Sequence, residues 1–132
     1  GTTVKYLRAE QVGEGTGCEL GISIQWNGEI FTINTVVRYT SSTPKILKGT
    51  LMVKLADNNA IEPKLFHSEL ATINGNKISV AVYPLSKKET ALLKKSILKI
   101  VIFKEDNGTN QIVIINKNSD VAKRHINCLE TN

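Results

Sequence analysis

His67 and Glu69 stand two residues apart in a stretch with strand periodicity, so both side chains point to the same side of the chain. A carboxylate beside an imidazole can orient it for general-base work, and the pair also offers two metal ligands. Nothing else in the sequence completes either arrangement. His125, the other histidine, lies in a C-terminal stretch with no acidic cluster near it in sequence. A hydrolase using His67 and Glu69 is the remote reading, and a solvated pair on a strand face is the preferred one. The chain has no Gly-x-Ser-x-Gly, no His-Glu-x-x-His and no Cys-x-x-Cys. The sequence therefore assigns no catalytic residue, no metal site and no cofactor.

Gly13-Glu14-Gly15-Thr16-Gly17 has the composition of a phosphate-binding loop. Such loops hold the anion with a helix start or a following lysine. Here the glycines lead into Cys18 and a strand pattern, and the next lysine is Lys45. The expectation is a flexible loop, with or without a bulge.

The lysines say more. Ser86-Lys87-Lys88-Glu89, just after Pro84, is a capping box and predicts a short helix near 86–95. At about 100° per residue, Lys87, Lys88, Lys94 and Lys95 fall on one stripe around Ala91, while Leu92 and Leu93 face the other way. These four lysines are the candidate binding residues, suited to an acidic protein, a lipid head group or a polysaccharide. Seventeen Lys and Arg against twelve Asp and Glu leave a net charge of +5. Only Arg8, Arg38 and Arg124 carry the planar fork that reads bases, and aromatic residues are few. Sequence-specific nucleic-acid recognition is therefore excluded, and the oligomeric state is not specified.

Cys18 and Cys128 are the two cysteines, and their placement near opposite ends predicts one disulfide. In the chain-entropy model a bridge over about 100 residues stabilises by about 4–5 kcal/mol. It implies an oxidising compartment, and together with a start at Gly1 rather than Met it suggests a periplasmic or secreted protein. Asn107-Gly108-Thr109 matches the glycosylation triplet, and an Asn-Gly turn explains it equally well.

The elements that must position these groups are mostly strands. The 132 residues fit a single domain, 1–132, and no apolar run is long enough to span a bilayer as a helix. Leu20, Ile22, Ile24 and Trp26 alternate with polar residues before Asn27-Gly28, a strong hairpin signal. A two-residue turn there sets Ile24 opposite Phe31 and Ile22 opposite Ile33. The pattern resumes with Leu47, Gly49, Leu51, Val53 and Leu55 on one face. Around Asn74-Gly75-Asn76, a three-residue loop opposing Leu70 to Val80 is preferred for its apolar match over a two-residue loop opposing Glu69 to Val80. Ile97 to Lys104 and Asn110 to Asn116 are apolar without clean alternation, which predicts central strands covered on both faces. Ser119-Asp120 predicts a short C-terminal helix near 120–128.

With an early strand from about Val4 to Arg8, the count is eight. The fold class is all-β: an antiparallel sandwich with immunoglobulin-like layering, or a partly open barrel. The immunoglobulin signature itself fails, because Trp26 follows Cys18 by only eight residues and Ile126 occupies the place of a corner tyrosine. The functional expectation is an exported, non-catalytic binding or accessory module of the cell envelope or extracellular space, with a protein or glycan partner. The alternative is a small inhibitor or immunity-type protein that blocks an acidic partner.

Overall fold

The computed structural model describes residues 5–41 and 43–131, the side chain of Tyr6 excepted. The first sheet contains β1 (Lys5–Tyr6), β2 (Glu10–Gly15), β3 (Cys18–Trp26), β4 (Phe31–Tyr39), β7 (His67–Ile73) and β8 (Asn76–Pro84). β1 and β2 occupy successive stretches of one edge of β3, so the sheet has five strand positions, in the order β1/β2-β3-β4-β8-β7. The second sheet, in the order β10-β9-β5-β6, is built from β5 (Leu47–Leu55), β6 (Ala60–Ile61), β9 (Leu98–Glu105) and β10 (Asn110–Ile114). All pairings are antiparallel, and the two sheets form a sandwich-like pair that is not closed into a barrel. The start of the early strand expected from Val4 lies outside the described residues. Among those described there are ten strands, not eight.

Between the sheets, Leu20, Ile22, Ile24, Ile33 and Val37 of the first meet Leu51, Val53, Val101, Phe103 and Val113 of the second. The period-two pattern dictates this, since one face of each of β3, β5, β9 and β10 is apolar or nearly so and turns to the core. Two helices complete the core. α1 (Lys87–Lys95) contributes Leu93, and α2 (Val121–Thr131), packed against α1 and β3, contributes Val121, Ile126 and Leu129. The capping box is complete: the Ser86 hydroxyl accepts from Glu89 N at 3.1 Å, and Ser86 N donates to the Glu89 carboxylate at 2.9 Å.

Both hairpins take registers other than those expected. β3 and β4 pair Ile24 with Ile33 and Trp26 with Phe31, two residues away from a two-residue turn. The loop is 27–30, closed by Asn27 Oδ1 accepting from Glu29 N and Ile30 N at 2.9 Å each, with Gly28 at a φ of 98°. A slip of two keeps every side chain on its face, so the core assignment survives. β7 and β8 pair Glu69 with Val80 through a two-residue Asn74-Gly75 turn, and both turn residues have positive φ. Turn chemistry overrides the apolar match there, and Leu70 is left 46% exposed.

Gly13 to Gly15 end strand β2 and Thr16-Gly17 turn the chain into β3, so the stretch is a paired hairpin and not a flexible loop. The expected irregularity appears as a register shift between Gln11 and Gly13. A Cβ on Gly13 would lie 2.8 Å from the carbonyl oxygen of Ile114, and one on Gly15 would lie 2.7 Å from Gln111 Oε1. These glycines let the edge of the first sheet come against β10 of the second. Gln111 then fastens the turn, accepting from Thr16 N at 3.0 Å and donating to Thr16 O at 3.3 Å.

β9 is an inner strand as expected, between β10 and β5, but β10 is an edge strand, and the expectation that both are covered on both faces is wrong. Ile112 and Ile114 are 62% and 68% exposed.

Cys18 and Cys128 form no disulfide. Cys18 is buried at the start of β3. Cys128 is exposed on α2, one turn past His125, whose ring contacts Ile24 N near the other end of β3. Six residues of strand span about 20 Å, whereas a disulfide needs Cα atoms within about 7 Å. The argument for a periplasmic or secreted location from a cysteine pair falls with it. No helix among the described residues is long and apolar enough to cross a membrane.

Candidate functional site

The end of the β3–β4 hairpin and α1 enclose a groove of about 290 Å³. Its floor is aromatic: Trp26 closes β3, Phe31 opens β4, and their rings lie 4.8 Å apart at 52°. Register makes them direct neighbours, and Leu85 N donating to Phe31 O at 2.9 Å brings the start of α1 alongside. Ile30, Leu85 and Ala91 extend the apolar lining, while Glu29, Lys87, Thr90, Lys94 and Glu130 supply polar groups at the rim.

Of the predicted lysine stripe, Lys87 and Lys94 border this groove, and Lys88 and Lys95 lie exposed farther round the helix. Lys94 is not a free cation, because Glu130 of α2 binds its Nζ at 2.8 Å. Glu130 lies 36 residues away in sequence, so helix periodicity alone could not show this partner. Among the described residues, Lys87, Lys88 and Lys95 make no ion pair. The only hydroxyl in the lining is Thr90, and no histidine or cysteine joins it. An apolar floor with charged groups at its rim can hold a ring or alkyl group with an attached anion, but it has no nucleophile–base pair.

The other candidates resolve differently. His67 Nε2 and Glu69 Oε2 lie on one side of edge strand β7, 3.6 Å apart and 56% and 63% exposed, with no third group to form a triad or a metal site. No cluster of three or more metal-ligating side chains occurs among the described residues. Asn107 Oδ1 accepts from Thr109 N at 3.0 Å and Gly108 has a φ of 93°, so a turn accounts for Asn107-Gly108-Thr109.

His125 has an acidic partner after all. Its Nε2 lies 3.1 Å from Glu10 Oε2, and its Nδ1 accepts from Ile24 N at 3.2 Å. β1 and β2 separate where Ile24 would pair, and the imidazole fills the gap in the ladder. Arg124 grips the same carboxylate by donating from Nη1 and Nη2, at 3.0 and 2.6 Å, and holds the Glu10 pKa below its usual value. Cys128 lines the adjoining cavity of about 400 Å³. Both imidazole nitrogens are already engaged, which leaves no lone pair to activate that thiol. These residues are more than a hundred positions apart, and no local signal in the sequence joins them.

A second buried polar cluster surrounds Glu105, which accepts from Tyr39 OH at 2.7 Å and lies 3.5 Å from Gln111 Nε2. Burial pushes the nearby Cys18 thiol pKa up and the adjacent Glu105 carboxylate adds to the shift, opposite to what a nucleophilic cysteine needs. No known protein family, curated protein or solved structure matches this chain.

Proposed function

We propose that the protein is a non-catalytic binding module whose groove between the β3–β4 hairpin and α1 holds an anionic, ring- or alkyl-bearing group of a protein or glycan partner. The observation that carries this reading is the Trp26–Phe31 floor beside Lys87, without a nucleophile–base pair in the lining. The floor supplies dispersion and desolvation, and the Lys87 ammonium supplies charge. Lys88 and Lys95 add steering at longer range. Immunoglobulin-like layering suits such a role, since two packed sheets hold a hairpin end rigid against a helix.

Trp26 is the only tryptophan, so its fluorescence reports on the groove alone. Titration with acidic peptides carrying Phe or Leu, and with acidic oligosaccharides, should shift the emission for one of these classes. Salt should weaken the response, and Lys87→Gln should weaken it about three- to tenfold. An emission spectrum that none of these probes alters would rule out the groove as the binding site.

A further inference from the structure

The outward face of the second sheet carries an apolar patch with lysines on two sides. Register places Met52, Ile102 and Ile112 side by side across three strands, with Ile100 and Ile114 in the next row. Two interstrand spacings make this patch only about 10 Å wide. Lys48 and Lys104 stand opposite each other on one side of it, and Lys54 stands opposite Ile100 on another. Beyond Met52 the same register brings Glu62 to the end of the row away from Ile112, with Lys64 next to it opposite Thr50. Lys48, Lys54 and Lys104 make no ion pair among the described residues. Like charges directly opposite across a sheet destabilise it, so the Lys48–Lys104 pair becomes favourable only when an anion covers it.

The occupant follows from charge and shape. A second copy seated face to face would set lysine against lysine. Adding a strand to β10 is hindered because β2 already lies along that edge, with Asn116 N donating to Val12 O at 3.0 Å. A compact apolar centre with cations beside it matches a planar anionic surface better than an elongated helix stripe. We propose that this face docks on an anionic lipid surface, independently of the hairpin groove. Ile112 and Ile114 enter the boundary between head groups and acyl chains, while the lysines extend to the phosphates.

The test is co-sedimentation with phosphatidylcholine vesicles, with and without phosphatidylglycerol, at low and physiological salt. Binding should require phosphatidylglycerol and weaken with salt. Ile112→Ser combined with Ile114→Ser should lower partitioning about tenfold or more, because both side chains supply inserted area. Lys48→Gln with Lys104→Gln should lower it too, and Lys87→Gln with Lys88→Gln and Lys95→Gln should not. If the isoleucine pair variant fails to fold, the single Ile112→Gln variant carries the same comparison. The proposal is overturned by absence of binding at low salt, by binding that survives loss of the isoleucines, or by binding that is lost with the α1 lysines. Retention of poly-glutamate but not vesicles would overturn it in favour of an acidic protein partner.

Discussion

Replacing His125 by Ala tests whether an imidazole really completes the β3 ladder. The ring is 4% exposed, so its removal opens a cavity worth about 1–2 kcal/mol at about 24 cal/mol per Å³. It also leaves the buried Ile24 N–H without an acceptor, which costs about 1–3 kcal/mol. The lost contact with Glu10 adds little, about 0.5 kcal/mol or less, because that carboxylate is partly solvated and keeps Arg124. The expected loss is about 2–5 kcal/mol, read as a lowered urea midpoint at unchanged slope. His125→Asn is the control: its Oδ1 can take the place of Nδ1, and the loss should fall to about 1–2 kcal/mol. Hydrogen exchange at the Ile24 amide should be faster in the Ala variant than in the Asn variant. If the two variants are equally stable, or if Ala costs under about 1 kcal/mol, the imidazole is not the structural partner of that amide.

Three further outcomes follow from the same geometry. Stability should decline in acid: Glu10 has a lowered pKa when folded, so its contribution is present above its ordinary value near 4.5 and is lost as pH falls through the folded value, and Glu10→Gln should flatten that slope in acid unfolding. Stability should also decline in alkali, because burial raises Cys18 from about 9.0, Tyr39 from about 10.0 and Tyr83 from about 10.0 to about 12. The unfolded chain then gives up these protons first, so midpoints measured at pH 9, 10 and 11 should fall in sequence. Gly13→Ala should cost about 1–3 kcal/mol, since its Cβ meets the Ile114 carbonyl and must push β2 from β10, whereas Gly108→Ala faces open space and should show only the smaller strain of a positive φ.

Much of the architecture was legible because it depends on period and caps. The alternation from Leu20 to Trp26 and the Ser86–Glu89 box are local patterns with few alternatives, and both appear as expected. Registers were legible only modulo two: the apolar face of β3 is right while its partner residues are shifted, because burial fixes the face and the loop fixes the pairing. The lysine stripe was visible as a helix face, but the groove it borders was not, because Trp26, Phe31 and Glu130 come from other elements. The disulfide failed for the same reason: nearness in space between residues 110 apart cannot be inferred from their being the only two of a kind.

The apolar runs of β9 and β10 misled in a more useful way. Absence of alternation was read as burial on both faces, an inference that assumes the chain supplies its own cover. The fold supplies cover for one face only, through Val101, Phe103 and Val113, and leaves Ile100, Ile102, Ile112 and Ile114 on the other. Single exposed isoleucines need no explanation, but four in two adjoining rows beside like-charged lysines are an arrangement that water alone does not favour. The groove beside α1 and this sheet face are therefore separate consequences of one charge distribution. At each place lysines without an ion-pair partner, Lys87 at the groove and Lys48 and Lys104 on the sheet, stand beside apolar surface that an anionic amphiphile can cover.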